Sequence, residues 1–402
     1  MAAMPALRAR PWRRLCKPPT PRPRRYSQRS LPAWFVRGGT SNGLVIRREH
    51  LPPQELWPTV LPAAMGAPDP QFGRQLDGMG SGVSSTSKVV VLAPPSASHA
   101  DADVAFTFVQ VGIRDGALDL AGNCGNMSSV AGPAAWDLGM IPPGRRVVEE
   151  DEQGGKWAVV RVFNTNTSKV VVSRFKVEGE PLAYAPDGDY AMDGVPGTNS
   201  AITLSFVDPA GAKTGRALPT GNAVDELALP DGSTVAASLV DVGNPGVFVS
   251  THSLGLDAAS LTPASVEANP ALKARLEHIR RAGASRMGLD PDTASVPKVV
   301  LVFPAGAAPA GVDVRCLAMS MGQAHRAMPL TLALCLGAST HLPGTLAAEL
   351  LAARGGAGRE GTVTIGHPSG RLDVGTEMRD GRIGAARLVR TARVLMKGEV
   401  FY

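Results

Sequence analysis

Cysteine is scarce in this chain. Cys16, Cys124, Cys316 and Cys335 are the four among 402 residues, and none stands in a CxxC pair or at zinc spacing from a histidine. A disulfide framework is therefore not expected, and a reducing compartment is. Aromatic residues make up only 5% of the chain. No run of about 18 apolar residues occurs, so no helical membrane span is expected; residues 330–339 are apolar but far too short. Several motifs are missing as well, namely GxSxG, HExxH and GxxxxGK[ST]. The one GxGxxG, Gly356 to Gly361, follows a helical pattern and precedes a strand, the reverse of a dinucleotide fold. Hydrolase, metal, nucleotide and nicotinamide chemistry all lack their marks, which favours a reaction without cofactor.

Acidic residues are absent from the first 30 positions, which hold nine Arg and Lys. Removing those nine leaves 32 basic against 35 acidic side chains, so the formal charge of +6 belongs to the leader. A nucleic-acid partner is not expected of the body. An Arg-rich, acid-free leader, with Arg24-Arg25-Tyr26-Ser27 resembling a processing site, fits a mitochondrial transit peptide and import to the matrix. Six prolines before Tyr26 interrupt any presequence helix, so a disordered basic arm or an early start codon is the other reading, with a cytoplasmic protein.

What is present is turn-rich: 45 Gly and 34 Pro punctuate short β-branched runs. Residues 88–93, 104–111, 157–163 and 169–175 read as strands, and 128–138 and 270–282 as helices. A second series follows, with strands over 201–206, 234–241, 247–250, 299–303 and 362–365 and a helix over 324–336. The expected fold class is α+β in two similar halves, 34–195 and 196–385, with 386–402 returning as a strand to the first.

Two segments carry the chemistry. In Gly122-Asn123-Cys124-Gly125-Asn126, the turn-forming residues feed an apolar stretch of helical period, which places Cys124 at a helix N-terminus. Free amides and the helix dipole there suit a thiolate or a substrate carboxylate. The plain alternative is a small core cysteine, as Cys335 reads within its apolar run. In Ser84-Ser85-Thr86-Ser87-Lys88, hydroxyls lead into a strand that begins at Lys88. Lys88 reads either as a base tuned by desolvation or as a solvated lysine at a strand end. Further polar patches are Arg37 to Gly43, which includes Ser41, Gly243-Asn244-Pro245, Met319 to His325, and Gly366 to Gly370. Together they suggest a donor-lined cleft for a multiply charged acid, with Arg37 as a bidentate carboxylate partner.

The segments VRGGTSNG at 36–43, STSK at 85–88, GNCGN at 122–126, NTNT at 164–167, PGTNS at 196–200, LPTGN at 218–222, GNPGVF at 243–248, MSMGQAH at 319–325, GHPSG at 366–370 and RTAR at 390–393 stand in family order. On these the chain resembles the PrpF family of aconitate and methylaconitate isomerases over residues 34–402. The resemblance implies a diaminopimelate-epimerase-like fold, two pseudo-symmetric domains each wrapping a sheet around a central helix. It implies Lys88 and Cys124 in the catalytic cleft, no cofactor, and a 1,3-proton shift in a small tricarboxylic acid, with an oxalomesaconate-type tautomerase or a non-catalytic accessory partner of an aconitase-like dehydratase as the alternatives. Substrate contacts are expected from Arg37, Ser41, Ser85, Thr86, Asn123, Gly125, Asn126, Asn244, Ser320, Gly322, His325 and Ser369. Epimerases of this fold use two facing cysteines, whereas the second-half counterpart here, Met319 to His325, has none. An unlike Lys88 and Cys124 pair is expected in their place. The expected partner is a small polycarboxylate; a homodimer, and a functional link to an aconitase-like dehydratase, stay open.

Overall fold

The computed structural model describes residues 29–306, 311–354 and 361–402. The leader expected over residues 1–30 and the GxGxxG stretch lie outside them, apart from their last residues.

Two apolar helices organise the chain. In Gly125–Asp137 every residue up to Trp136 is buried, and Leu330–Ser339 (LTLALCLGAS) is buried throughout. A helix without a polar face must be covered on all sides, and sheet wraps both. Strands Ser30–Gly38, Ser41–Arg47, Lys88–Ala93, Val104–Val111, Lys156–Asn164 and Lys169–Glu178 contact the first helix; Thr234–Val242, Asn244–Ser250, Thr362–His367, Gly370–Arg379 and Arg382–Arg390 contact the second. Small residues permit this closeness: a Cβ on Gly132 would lie 2.6 Å from Ser173 Oγ, and one on Gly337 2.6 Å from Val374 Cγ1. Leu332, Leu334 and Leu336 have no exposed surface, and each contributes about 1.5–3 kcal/mol by burial.

The strand pairings repeat. From Ser30–Gly38 through Ser41–Arg47, Lys88–Ala93, Val104–Val111, Lys156–Asn164 and Lys169–Glu178, neighbours pair antiparallel, parallel, antiparallel, parallel, antiparallel. The same alternation runs from Thr234–Val242 through Asn244–Ser250, Lys298–Pro304, Val314–Ser320, Thr362–His367 and Gly370–Arg379. Each strand of one half therefore has a counterpart in the other. Ile202–Val207 joins the halves by pairing with both Lys169–Glu178 and Arg382–Arg390. Ala392–Phe401 runs antiparallel to Ser30–Gly38. The architecture is α+β and pseudo-symmetric.

Two local readings need correction. The helix expected over 324–336 begins only at Leu330, because Gln323–Ala324 folds back on Met319–Ser320 as a short strand and Pro329 precedes the first turn. The helix expected from residue 128 starts at Gly125, one residue after Cys124. The Arg37 to Gly43 patch is a hairpin: Arg37 pairs with Asn42, Gly38 with Ser41, and Gly39 turns at φ +51°.

Candidate active site

A narrow cleft opens where the two central helices meet, and its walls include Ser41, Lys88, Asn123, Cys124, Gly125, Asn126, Ser320 and His325. Cys124 is the N-cap of one helix and Pro329 of the other, and neither N-terminus is capped by a side chain. Two sets of unpaired amides thus face one space lined by Gly125, Asn126, Leu330 and Thr331. Each terminus favours an anion by about 0.3–1 kcal/mol at a surface and up to about 2 kcal/mol where partly buried. Gly125 lets the helices approach, since a Cβ there would lie 2.2 Å from Leu330 Cδ2. By position, Pro329 and not the Met319 to His325 segment is the counterpart of Cys124.

Lys88 is the first residue of its strand and only 8% exposed. Its Nζ donates to Gln110 Oε1 at 2.6 Å and lies 5.0 Å from the centre of the Phe108 ring. Burial drives its pKa below the ordinary lysine value, and the neighbouring Cys124 sulfur opposes that drop. Amine and thiol therefore sense each other across the cleft. Ser41 Oγ stands 4.0 Å from Cys124 Sγ, the remaining polar contact of the sulfur. Cys124 is partly exposed on a helix N-terminus beside a buried amine, a position open to a ligand, whereas Cys316 and Cys335 are fully enclosed in the core.

His325 also lines the cleft, its Nδ1 2.6 Å from the carbonyl of Ala327. Burial lowers its pKa to about 4, with Lys88 and Lys298 pushing the same way. The ring is then neutral at physiological pH and serves as a hydrogen-bonding group. An NMR titration assigned with a His325→Gln variant should show no protonation of this ring between about pH 8 and 5; a midpoint at about 6.5 would contradict the burial.

Other expected contacts are not brought to this cleft. The Arg37 guanidinium is spent on Gly39 O, Thr391 O, Thr391 Oγ1 and Asn199 Oδ1, at 3.0–3.2 Å, so it ties the first hairpin to the end of the chain. Ser85 and Thr86 sit in a 3-10 turn, where Thr86 Oγ1 bonds Val83 O and Ser81 Oγ; the cleft-lining hydroxyl there is that of Ser84. Asn244 is wholly buried at the start of its strand, its amide without a partner. Gly322 forms the turn beside the cleft, behind Lys298. Ser369 lies in the exposed hairpin of Thr362–His367 and Gly370–Arg379, bonded to Arg326 O. Asn126 faces the cleft, but its side chain is held by Thr40 Oγ1 at 3.0 Å and Arg390 Nε at 3.3 Å, leaving its backbone amide for a ligand.

Sequence reading missed Gln110, Asp119, Ser295 and Lys298, all of which line the cleft. A signal for Lys298 was present, since Lys88-Val89-Val90 and Lys298-Val299-Val300 open two strands alike. Among the described residues, no group of three or more His, Cys, Asp or Glu is placed to hold a metal ion.

The PrpF protein family model matches residues 28–402. The 2-methyl-aconitate isomerase of Cupriavidus necator is 37% identical over 93% of this chain and 97% of its own. The 3-methylitaconate isomerase of Eubacterium barkeri is 35% identical with the same coverage. A crystal structure of methylitaconate-delta-isomerase superposes with TM-score 0.72 at 34% identity, covering 93% of this chain and 96% of that one.

Proposed function

The chain belongs to the PrpF family, and on that premise we propose that it is an isomerase that moves a carbon–carbon double bond in a small tricarboxylic acid of the aconitate type. The observation that carries this reading is the cleft itself, with the Lys88 amine and Cys124 thiol on its walls and two uncapped helix N-termini converging on it.

The chemistry follows from that geometry. A carbon next to a carboxylate and conjugated to a double bond gives up a proton when a base is near and the resulting dienolate is stabilised. Lys88, desolvated and below its ordinary pKa, supplies the base. The amides of Gly125 and Asn126 and the dipoles of both helices hold the charge that develops on the carboxylate oxygens. Cys124 returns a proton at the far end of the three-carbon unit, so one C–H bond breaks, one forms and the double bond moves between them. Ser41, Ser320 and His325 supply hydrogen bonds from the walls. No electron is gained or lost, and the reaction needs no cofactor. The acid-free leader supports action in the mitochondrial matrix.

Purified protein incubated with trans-aconitate, 2-methylaconitate, 3-methylitaconate or oxalomesaconate in D2O, followed by NMR, tests the proposal. The expected result is isomerisation of at least one acid with deuterium entering at the carbons that exchange protons. No isomerisation and no exchange with any of the four would end it.

A further inference from the structure

The repeat of strand pairings gives Lys88 a counterpart. Lys88–Ala93 lies parallel to Ser41–Arg47 and antiparallel to Val104–Val111, and Lys298–Pro304 lies parallel to Asn244–Ser250 and antiparallel to Val314–Ser320. Each strand begins with its lysine, and both lysines line the same cleft. Pseudo-symmetry thus preserves the amine on both sides, while only one central helix carries a thiol at its N-cap.

The two amines differ in surroundings. Lys88 rests over an aromatic ring beside the Cys124 sulfur. Lys298 is 9% exposed, its Nζ donates to the carbonyl of Ser295 at 2.5 Å, and among the described residues it makes no salt bridge. An ammonium has three N–H donors, so Lys298 keeps capacity for an anion. Ser295, 7% exposed, also lines the cleft, and its hydroxyl has no hydrogen-bond partner among the described residues. The Asp119 carboxylate on the same cleft acts on this amine through space and raises its pKa, but forms no salt bridge with it among the described residues; the remaining N–H groups of the amine and the Ser295 hydroxyl can both be satisfied by one incoming carboxylate.

We infer that Lys298 and Ser295 form a carboxylate-binding subsite opposite Lys88 and Cys124, which anchors one carboxylate of the substrate and leaves the three-carbon unit between the reacting groups. The subsite rests on the polycarboxylate reading and adds to it the residues that select a charged arm over an uncharged one. Burial lowers the Lys298 pKa to about 8, with Asp119 raising it and Lys88 lowering it, so the amine still carries a proton on most molecules at neutral pH.

Tricarballylate, a saturated tricarboxylate with no double bond to move, separates binding from chemistry. In calorimetric titrations of the full-length protein, Lys298→Met should weaken tricarballylate by about 10- to 100-fold, the loss expected for one charge-assisted hydrogen bond. With a turned-over substrate the same variant should raise KM by a similar factor and lower kcat far less. Ser295→Ala, the milder change should Lys298→Met fail to fold, should weaken tricarballylate about 3- to 10-fold. Wild-type affinity in the folded variants would overturn the subsite. Loss of deuterium exchange at one carbon of a saturated Lys298→Met enzyme would also overturn it, by making Lys298 an acid or base. Failure of tricarballylate to bind the wild-type protein would instead overturn the polycarboxylate reading beneath it.

Discussion

Lys88→Met should lose turnover by about 10³-fold or more, toward the upper range for removal of a general acid–base group, and should abolish exchange of substrate protons with D2O. The fold should survive. Methionine keeps the apolar contact with Phe108, and removing a buried ammonium relieves its desolvation. The loss is Gln110 Oε1, left without the Lys88 donor. An orphaned buried acceptor costs about 1–3 kcal/mol, which the relief of a buried charge offsets in part. A melting temperature close to wild type, together with absent turnover, is the expected pair of readings. Near-normal activity would remove Lys88 from the mechanism.

The sign of the pH dependence follows from the same burial. As a base Lys88 must be neutral, so kcat/KM should rise with pH through a pKa lying below that of a free lysine. That rising limb should be missing from whatever activity Lys88→Met retains.

Cys124→Ala should separate the two halves of the reaction. With Lys88 in place, a proton can still leave the substrate and return from solvent at the same carbon. Without the thiol, none is delivered at the far carbon. Isomerisation should fall by about 10²- to 10⁴-fold while deuterium still washes into the starting acid. The helix should form as before, because Cys124 contributes its backbone and not a side-chain cap. Equal loss of exchange and isomerisation would place Cys124 in proton removal as well. Wild-type rates for both would exclude the thiol.

Much of the local structure was legible in the sequence because it depends on near neighbours. The strands beginning at Lys88 and Val104 coincide with their expected limits, since β-branched runs bounded by turn residues leave little freedom in where a strand starts. Cys124 could be placed at a helix N-terminus for a similar reason, as Gly and Asn stop an extended chain just before Met127 to Trp136. The second central helix was misplaced by several residues. Ala324, Ala327 and Met328 extend the apolar residues of the helix backwards at helical spacing, and only pairing with Met319 and Ser320 draws Ala324 into a strand.

Composition and order along the chain therefore decided the family, the fold class and the candidacy of Lys88 and Cys124. Distance in three dimensions decided the rest. Arg37, Asn244 and Ser369 have the chemistry of carboxylate ligands, but Arg37 spends its donors on backbone and side-chain oxygens, Asn244 is buried away from the cleft and Ser369 faces solvent. Lys298 drew no attention in the sequence, yet the repeated pairings bring it, 210 positions after Lys88, to the cleft that holds Lys88. A residue type fixes what a side chain is able to do. Which groups share a small desolvated volume depends on how the continuous sheet closes around its two helices, and that closure is a property of contacts far apart in the chain.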